Sequence, residues 1–136
     1  MRIAILVDAA LPLDTRIHSR MMHQLAEEFV TRGNEVVIIT PSDINQKIPL
    51  KVDLIGGVEI WRFRSRNIRK ISTEKTLGLI FRTINEWLIP WKGWYAISSS
   101  VKKEPFDLCV IHSPSIFFGG LAKKLKNEGA YVYLVL

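Results

Sequence analysis

The chain opens on a short apolar run, Ile3 to Val7, that is interrupted by Asp8. A run of that length with no polar alternation predicts a central parallel strand covered on both faces. Ala9 to Leu13 carries Pro12 and reads as the loop leaving that strand, after which Asp14 or Thr15 supplies a helix cap. Ile17, Met21, Met22, Leu25, Ala26 and Phe29 then recur at three- and four-residue spacings, and Gly33 follows as a left-handed stop. The β-branched segment Glu35 to Thr40 is a second strand ended by Pro41, which completes a βαβ unit. Further on, Lys51 to Leu54 and Val58 to Phe63 flank Gly56-Gly57, which predicts a hairpin or one strand with an irregular lead-in. Helical spacing returns from Thr73 to about Trp87, Pro90 breaks it, and a second helix is expected from Pro90 towards Val101. Pro105 to Ile111 reads as a buried strand ending at His112, Ile116 to Glu128 as a helix stopped by Gly129, and Tyr131 to Leu136 as the start of another strand. This alternation predicts an α/β fold with a doubly wound, mostly parallel, Rossmann-like sheet.

Composition narrows the picture. With 136 residues, 48% of them hydrophobic, the chain fits one domain with a sizeable core. The single cysteine, Cys109, lies inside an apolar strand and reads as a small core residue, consistent with a reducing cytoplasm. No run reaches the ~18 apolar residues of a spanning helix. Lysine and arginine exceed aspartate and glutamate by 19 − 13 = 6, and the pI is about 9.7, so an anionic partner is favoured.

In an open α/β sheet ligands collect at the carboxyl ends of the strands. Three segments fall there: Asp8 to His18, Pro41 to Asp43, and His112 to Ser115. Neither G-x-G-x-x-G nor G-x-x-x-x-G-K-[ST] occurs, which argues against a dehydrogenase or P-loop site. Asp8, Asp14, His18 and His112 are the rim residues able to handle protons, and no His/Cys/carboxylate spacing suggests a metal. His112 either acts on a ligand at the rim or hydrogen-bonds its own loop. Arg16 and Arg20 either clamp a phosphate or pair with Asp14 or another nearby carboxylate. His23, towards the polar side of its helix, is expected to be solvated.

Arg62, Arg64, Arg66, Arg69 and Lys70 form a basic cluster, followed by Trp87, Trp91 and Trp94-Tyr95. Cations beside tryptophans suit an anionic membrane surface, where rings settle at headgroup depth, although the aliphatic stripe of the intervening helix is expected to pack on the sheet. Nucleic acid is not expected as a partner, since no RRM, KH or helix-turn-helix pattern accompanies these residues.

Three stretches carry a family resemblance. Arg32-Gly-Asn-Glu-Val-Val-Ile-Ile-Thr-Pro41 resembles an "R/K-G-H-E-V-x-V-x-T" pattern, Gly57-Val-Glu-Ile-Trp-Arg62 resembles "G-V-x-V-x-R", and Phe106-Asp-Leu-Cys-Val-Ile-His112 resembles "x-D-V-I-H-x-H". Together with the opening strand, the proline-containing loop and the first helix, they look like the N-terminal domain of retaining family 4 glycosyltransferases of the GT-B fold. Among these the resemblance is to bacterial enzymes that build O-antigen or capsule repeats on a lipid carrier. Where many relatives carry a glycine-rich first loop near the donor diphosphate, Asp8 to Asp14 holds no glycine.

The resemblance implies that residues 1–136 form an N-terminal acceptor-binding domain, with the nucleotide-sugar and the E-x7-E motif in a C-terminal domain outside this sequence. It implies transfer of a sugar, such as an N-acetylhexosamine from a UDP donor, to an undecaprenyl-diphosphate-linked acceptor, with retention and without a metal or cofactor. Asp14, Arg16, His18 and Ser113 would line the acceptor side, and His112 would position the reacting sugar or handle its proton. The enzyme would sit in the cytoplasm, peripheral to the inner face of the plasma membrane, and this domain alone would be inactive. Two rivals remain: a non-catalytic Rossmann-like module that binds anionic lipid or nucleic acid, and a nucleotide-sugar epimerase of related fold.

Overall fold

A computed structural model describes residues 1–7, 17–41, 48–64, 91–112 and 119–135. The described elements are β1 (Arg2–Leu6), α1 (Ile17–Thr31), β2 (Glu35–Pro41), β3 (Leu50–Ile55), β4 (Val58–Phe63), a helix α2 over 91–103, β5 (Leu108–His112), α3 (Gly119–Asn127) and β6 (Tyr131–Val135). Six strands form one sheet in the order β3-β4-β2-β1-β5-β6. Every neighbouring pair is parallel except β3 and β4, which form an antiparallel hairpin. From β1 the sheet extends one way through β2 to the β3–β4 hairpin, whose second strand pairs with β2, and the other way through β5 to β6, so the direction of winding reverses between β1 and β5 as in a doubly wound sheet.

Period-two alternation divides the core into two layers. Ala4, Leu6, Val37, Ile39, Trp61, Phe63, Cys109 and Ile111 face one side, where Ile97 and Val101 of α2 and Leu121 and Leu125 of α3 cover them. Ile3, Ile5, Val7, Val36, Ile38, Val58, Ile60 and Val110 face the other side, where Met22 and Ala26 of α1 pack. Both faces of β1 and β2 are therefore buried, which is why those strands read as continuous apolar runs.

Glycines close the elements where the pattern expects them. Gly33 has φ 90°, donates to the Val30 carbonyl at 2.9 Å, and is followed by Asn34 donating to Phe29 at 3.1 Å. Gly129 repeats this arrangement with φ 104°, its amide on Lys126 and that of Ala130 on Leu125. Both are Schellman stops that satisfy carbonyls left open at a helix end. Gly56 and Gly57, at φ 61° and 81°, make the two-residue turn of the β3–β4 hairpin, so the hairpin is the form adopted. The expected helix over Thr73 to Trp87 and the cap at Asp14 or Thr15 lie outside the described residues.

Two polar residues sit differently from the expectation. Arg62, assigned above to an exposed membrane-facing cluster, is buried in β4 and ion-paired to Asp53 of β3. Its place in the strand register, one residue past Trp61 on the α1 side, turns its side chain inward. His23, expected in solvent, is also buried, because α1 turns that position towards the sheet with Met22 and Ala26. Its Nε2 lies 3.2 Å from Glu27 Oε1, an ion-pair distance, yet neither ring nitrogen has a well-directed hydrogen bond among the described residues.

Candidate functional site

The carboxyl ends of the parallel strands present one transverse row. Leu6 pairs with Ile39 on one side and Ile111 on the other, so Val7 stands next to Thr40 and His112, and Thr40 pairs in turn with Arg62. His112, Val7, Thr40 and Arg62 share the parity of Val110, Ile5, Ile38 and Ile60, which places all four on the α1 face. The C-terminal half of α1 meets the β3–β4 turn, where a Cβ on Gly57 would stand 3.2 Å from Val30, so α1 runs antiparallel to β4 and begins at this same row. The amino end of α1 therefore lies at the rim, where the positive end of the helix dipole favours an anion.

The row differs in character along its length. His112 is half-buried at the end of β5 and already engaged in an interaction of its own, at the strand boundary where the winding reverses. Val7 and Thr40 are buried, and the Thr40 hydroxyl lies 3.4 Å from the Pro41 carbonyl, at the long limit for a hydrogen bond. Arg62 closes the far end. Burial pulls its guanidinium below the ordinary arginine value, and the Asp53 carboxylate opposes that shift. It stays a cation at any physiological pH, since arginine does not deprotonate in proteins.

Most of the residues singled out from the sequence fall beyond what is described. Asp8, Asp14, Arg16 and Ser113 lie outside the described residues, as do Arg66, Arg69, Lys70 and Trp87, while His18 belongs to α1 with its side chain undescribed. His112 and Arg62 reach the same edge of the sheet, at opposite ends of the row. Arg64 is exposed just after β4. Trp91 and Trp94 lie on α2, on the opposite face of the sheet from the row. Thr40 was missed because strand-end threonines are common, and only the register puts it beside Arg62.

Cys109 plays no part at this rim. It is buried in the α2–α3 layer, and burial pushes its thiol up to about 12, which keeps it protonated and inert. Among the described residues no group of three His, Cys, Asp or Glu side chains could hold a metal ion. None of the described helices is long and apolar enough to cross a membrane.

No protein-family model matches the sequence, and no curated protein matches it. Among solved structures, one described as trehalose-6-phosphate from E. coli bound with UDP-2-fluoro glucose matches with a TM-score of 0.59 at 10% identity. The match covers 98% of this chain and 32% of that one, so this chain spans about a third of that structure's length. At such low identity the likeness is one of fold. The mixed α/β chain, with its six-stranded, mostly parallel sheet, has a Rossmann-like fold of the kind that makes up one half of a GT-B fold.

Proposed function

We propose that this chain is the N-terminal, acceptor-binding half of a retaining glycosyltransferase. In this reading a C-terminal domain supplies most of the UDP-sugar site, and the acceptor is a sugar on undecaprenyl diphosphate in polysaccharide biosynthesis. The observation that carries the reading is the position of His112, at the end of β5, where the winding of the sheet reverses beside β1. In a two-domain enzyme this edge is one wall of the interdomain cleft. There His112 would position the reacting hydroxyl or take up its proton, with Asp14, Arg16, His18 and Ser113 lining the acceptor side. Charge developing on the leaving diphosphate would be met mainly by cations of the second domain, assisted by the first turn of α1. Support for a UDP-sugar donor comes from the fold shared with a structure holding UDP-2-fluoro glucose. The family resemblance of the three strand motifs supports the lipid-linked acceptor and a cytoplasmic, membrane-peripheral location.

The test is transfer of radiolabelled sugar from UDP-N-acetylhexosamines to undecaprenyl-diphosphate-linked acceptor, using the chain joined to its C-terminal domain. His112→Ala is expected to lower kcat on the order of 100-fold with the donor KM little changed, the size typical of a lost acid-base group. Full activity in that variant would remove His112 from the chemistry. Absence of transfer from any nucleotide-sugar would overturn the reading and favour a non-catalytic module.

A further inference from the structure

The two helices on the face opposite the row have an unusual charge balance. Residues 91–103 and 119–127 contain Lys92, Lys102, Lys103, Lys123, Lys124 and Lys126 and no aspartate or glutamate. Among these, Lys102, Lys103, Lys123 and Lys126 are exposed. Aromatic rings stand among them: Trp91 is 60% exposed and Tyr95, one helical turn on, is 82% exposed. α2 and α3 present one continuous surface, because the Lys124 ammonium of α3 lies 5.2 Å from the Trp91 ring centre and 6.0 Å from that of Trp94 on α2.

We propose that the outer surface of α2 and α3, through Lys102, Lys103, Lys123 and Lys126 with the rings of Trp91 and Tyr95, docks the protein on an anionic phospholipid bilayer. Lysines whose nearest carboxylates in sequence, Glu104 and Glu128, fall just beyond the two helices match lipid phosphates, and the amphipathic rings of Trp91 and Tyr95 at one end match the headgroup layer. A nucleic acid would stack its bases on exposed ring faces, and Lys124 already covers one face of Trp91, which leaves Tyr95 the more open of the two rings. This surface differs from the arginine cluster that begins at Arg62 in β4, whose first member is buried. Its aromatic end also lies at the strand-end rim of the sheet. The first turn of α2 is pressed against Phe63, the last residue of β4, where a Cβ on Gly93 would come within 3.3 Å of the Phe63 ring. A bilayer held by this surface therefore lies beside the strand-end rim. That consequence rests on the function proposed above, whereas the docking itself does not.

The experiment is sedimentation of the protein with vesicles of phosphatidylcholine alone or mixed with phosphatidylglycerol. Binding is expected only to the mixed vesicles, falling as salt rises. Each lysine removed should weaken partitioning about fivefold, so Lys123→Gln with Lys126→Gln should lower it on the order of 25-fold. Trp91→Ser with Tyr95→Ser should lower binding as well, and because all four positions lie on the surface, unchanged circular dichroism is expected for both variants. Equal binding to both kinds of vesicle, or binding indifferent to both double variants, would overturn the proposal. So would tighter binding to single-stranded oligonucleotide through the same residues. Transfer to a soluble acceptor analogue separates the two readings: a variant that loses vesicle binding and keeps that transfer supports docking. Wild-type protein that binds mixed vesicles and transfers no sugar leaves docking standing and sinks the proposed function alone.

Discussion

Arg62 and Asp53 meet diagonally across the β3–β4 hairpin, with 3% of the arginine side chain and 32% of the aspartate side chain exposed. The strand register turns Arg62 into the α1 layer, and the edge strand β3 supplies the charge that makes its burial tolerable. Removing one partner of such a pair leaves a desolvated charge behind, at a cost of about 3–5 kcal/mol when both are fully buried. Because Asp53 keeps part of its surface in water, Asp53→Asn is expected to cost less, about 2–3 kcal/mol. Urea unfolding measures it, and a change below about 0.5 kcal/mol would show the pair to be screened by solvent.

Cys109 makes stability depend on alkaline pH. Its folded thiol titrates at about 12 against an ordinary value of 9.0, so the unfolded chain loses that proton first as pH rises. The contribution is complete below about pH 9 and is lost between there and about pH 12. Cys109→Ala is expected to cost about 1 kcal/mol at pH 7 through a small cavity, with the gap to wild type closing as pH rises from 8 to 10.5. A pH-independent gap would contradict the buried, protonated thiol. The same burial predicts that a thiol reagent modifies Cys109 only as fast as the chain opens.

Gly33 holds a left-handed conformation in open space, since nothing lies within 4 Å of the place a Cβ would occupy. Gly33→Ala is therefore expected to cost about 1–2 kcal/mol purely from backbone strain, and Gly33→Asn less, because asparagine tolerates that region. Thermal melts of the two variants check the order, and equal melting temperatures would contradict it.

Gly56 adds a contact to the strain, because its added Cβ would collide with Oε1 of Glu27, at 2.2 Å, and φ is 61°. Glu27 is a flexible side chain that also faces His23. Gly56→Ala should consequently be less costly in a Glu27→Ala background than in wild type, a coupling on the order of 0.5–1 kcal/mol in a double-mutant cycle. Strict additivity would show that Glu27 swings aside freely.

Arg2 ties the amino end of the sheet together at the edge away from the candidate site. Its guanidinium lies 4.6 Å from the Phe106 ring centre, hydrogen-bonds the Glu104 carbonyl and reaches the Glu35 and Glu104 carboxylates at 3.8 and 3.6 Å. Arg2→Met keeps the stem packing and loses the charge, so about 1–2 kcal/mol of stability should go, with no effect on vesicle binding. Chemical denaturation and sedimentation of the one variant check both halves.

Local patterning was enough to read β1, α1, β2 and the glycine that ends each of α1 and α3, while it left Gly56-Gly57 open between a hairpin and one strand with an irregular lead-in. Each depends on residues a few positions apart, through strand alternation, helical spacing or a required positive φ. The same rules misplaced His23 and Arg62, whose burial is set by packing between elements rather than by the spacing of residues within one. Whether a histidine on a helix meets water depends on where the sheet lies under it. Whether an arginine at a strand end reaches a membrane depends on which neighbour strand carries Asp53.

The amino-acid order alone determined β1, α1, β2, β5 and α3 and their succession, the rim to which His112 belongs and the buried state of Cys109, because apolar periodicity and turn chemistry act within a few residues. Only the tertiary structure decided that His112, Val7, Thr40 and Arg62 share a row and that Lys124 joins Trp91 across two helices. Those relations arise from strand register and helix packing between segments tens of residues apart, where each placement is settled jointly by every layer it touches.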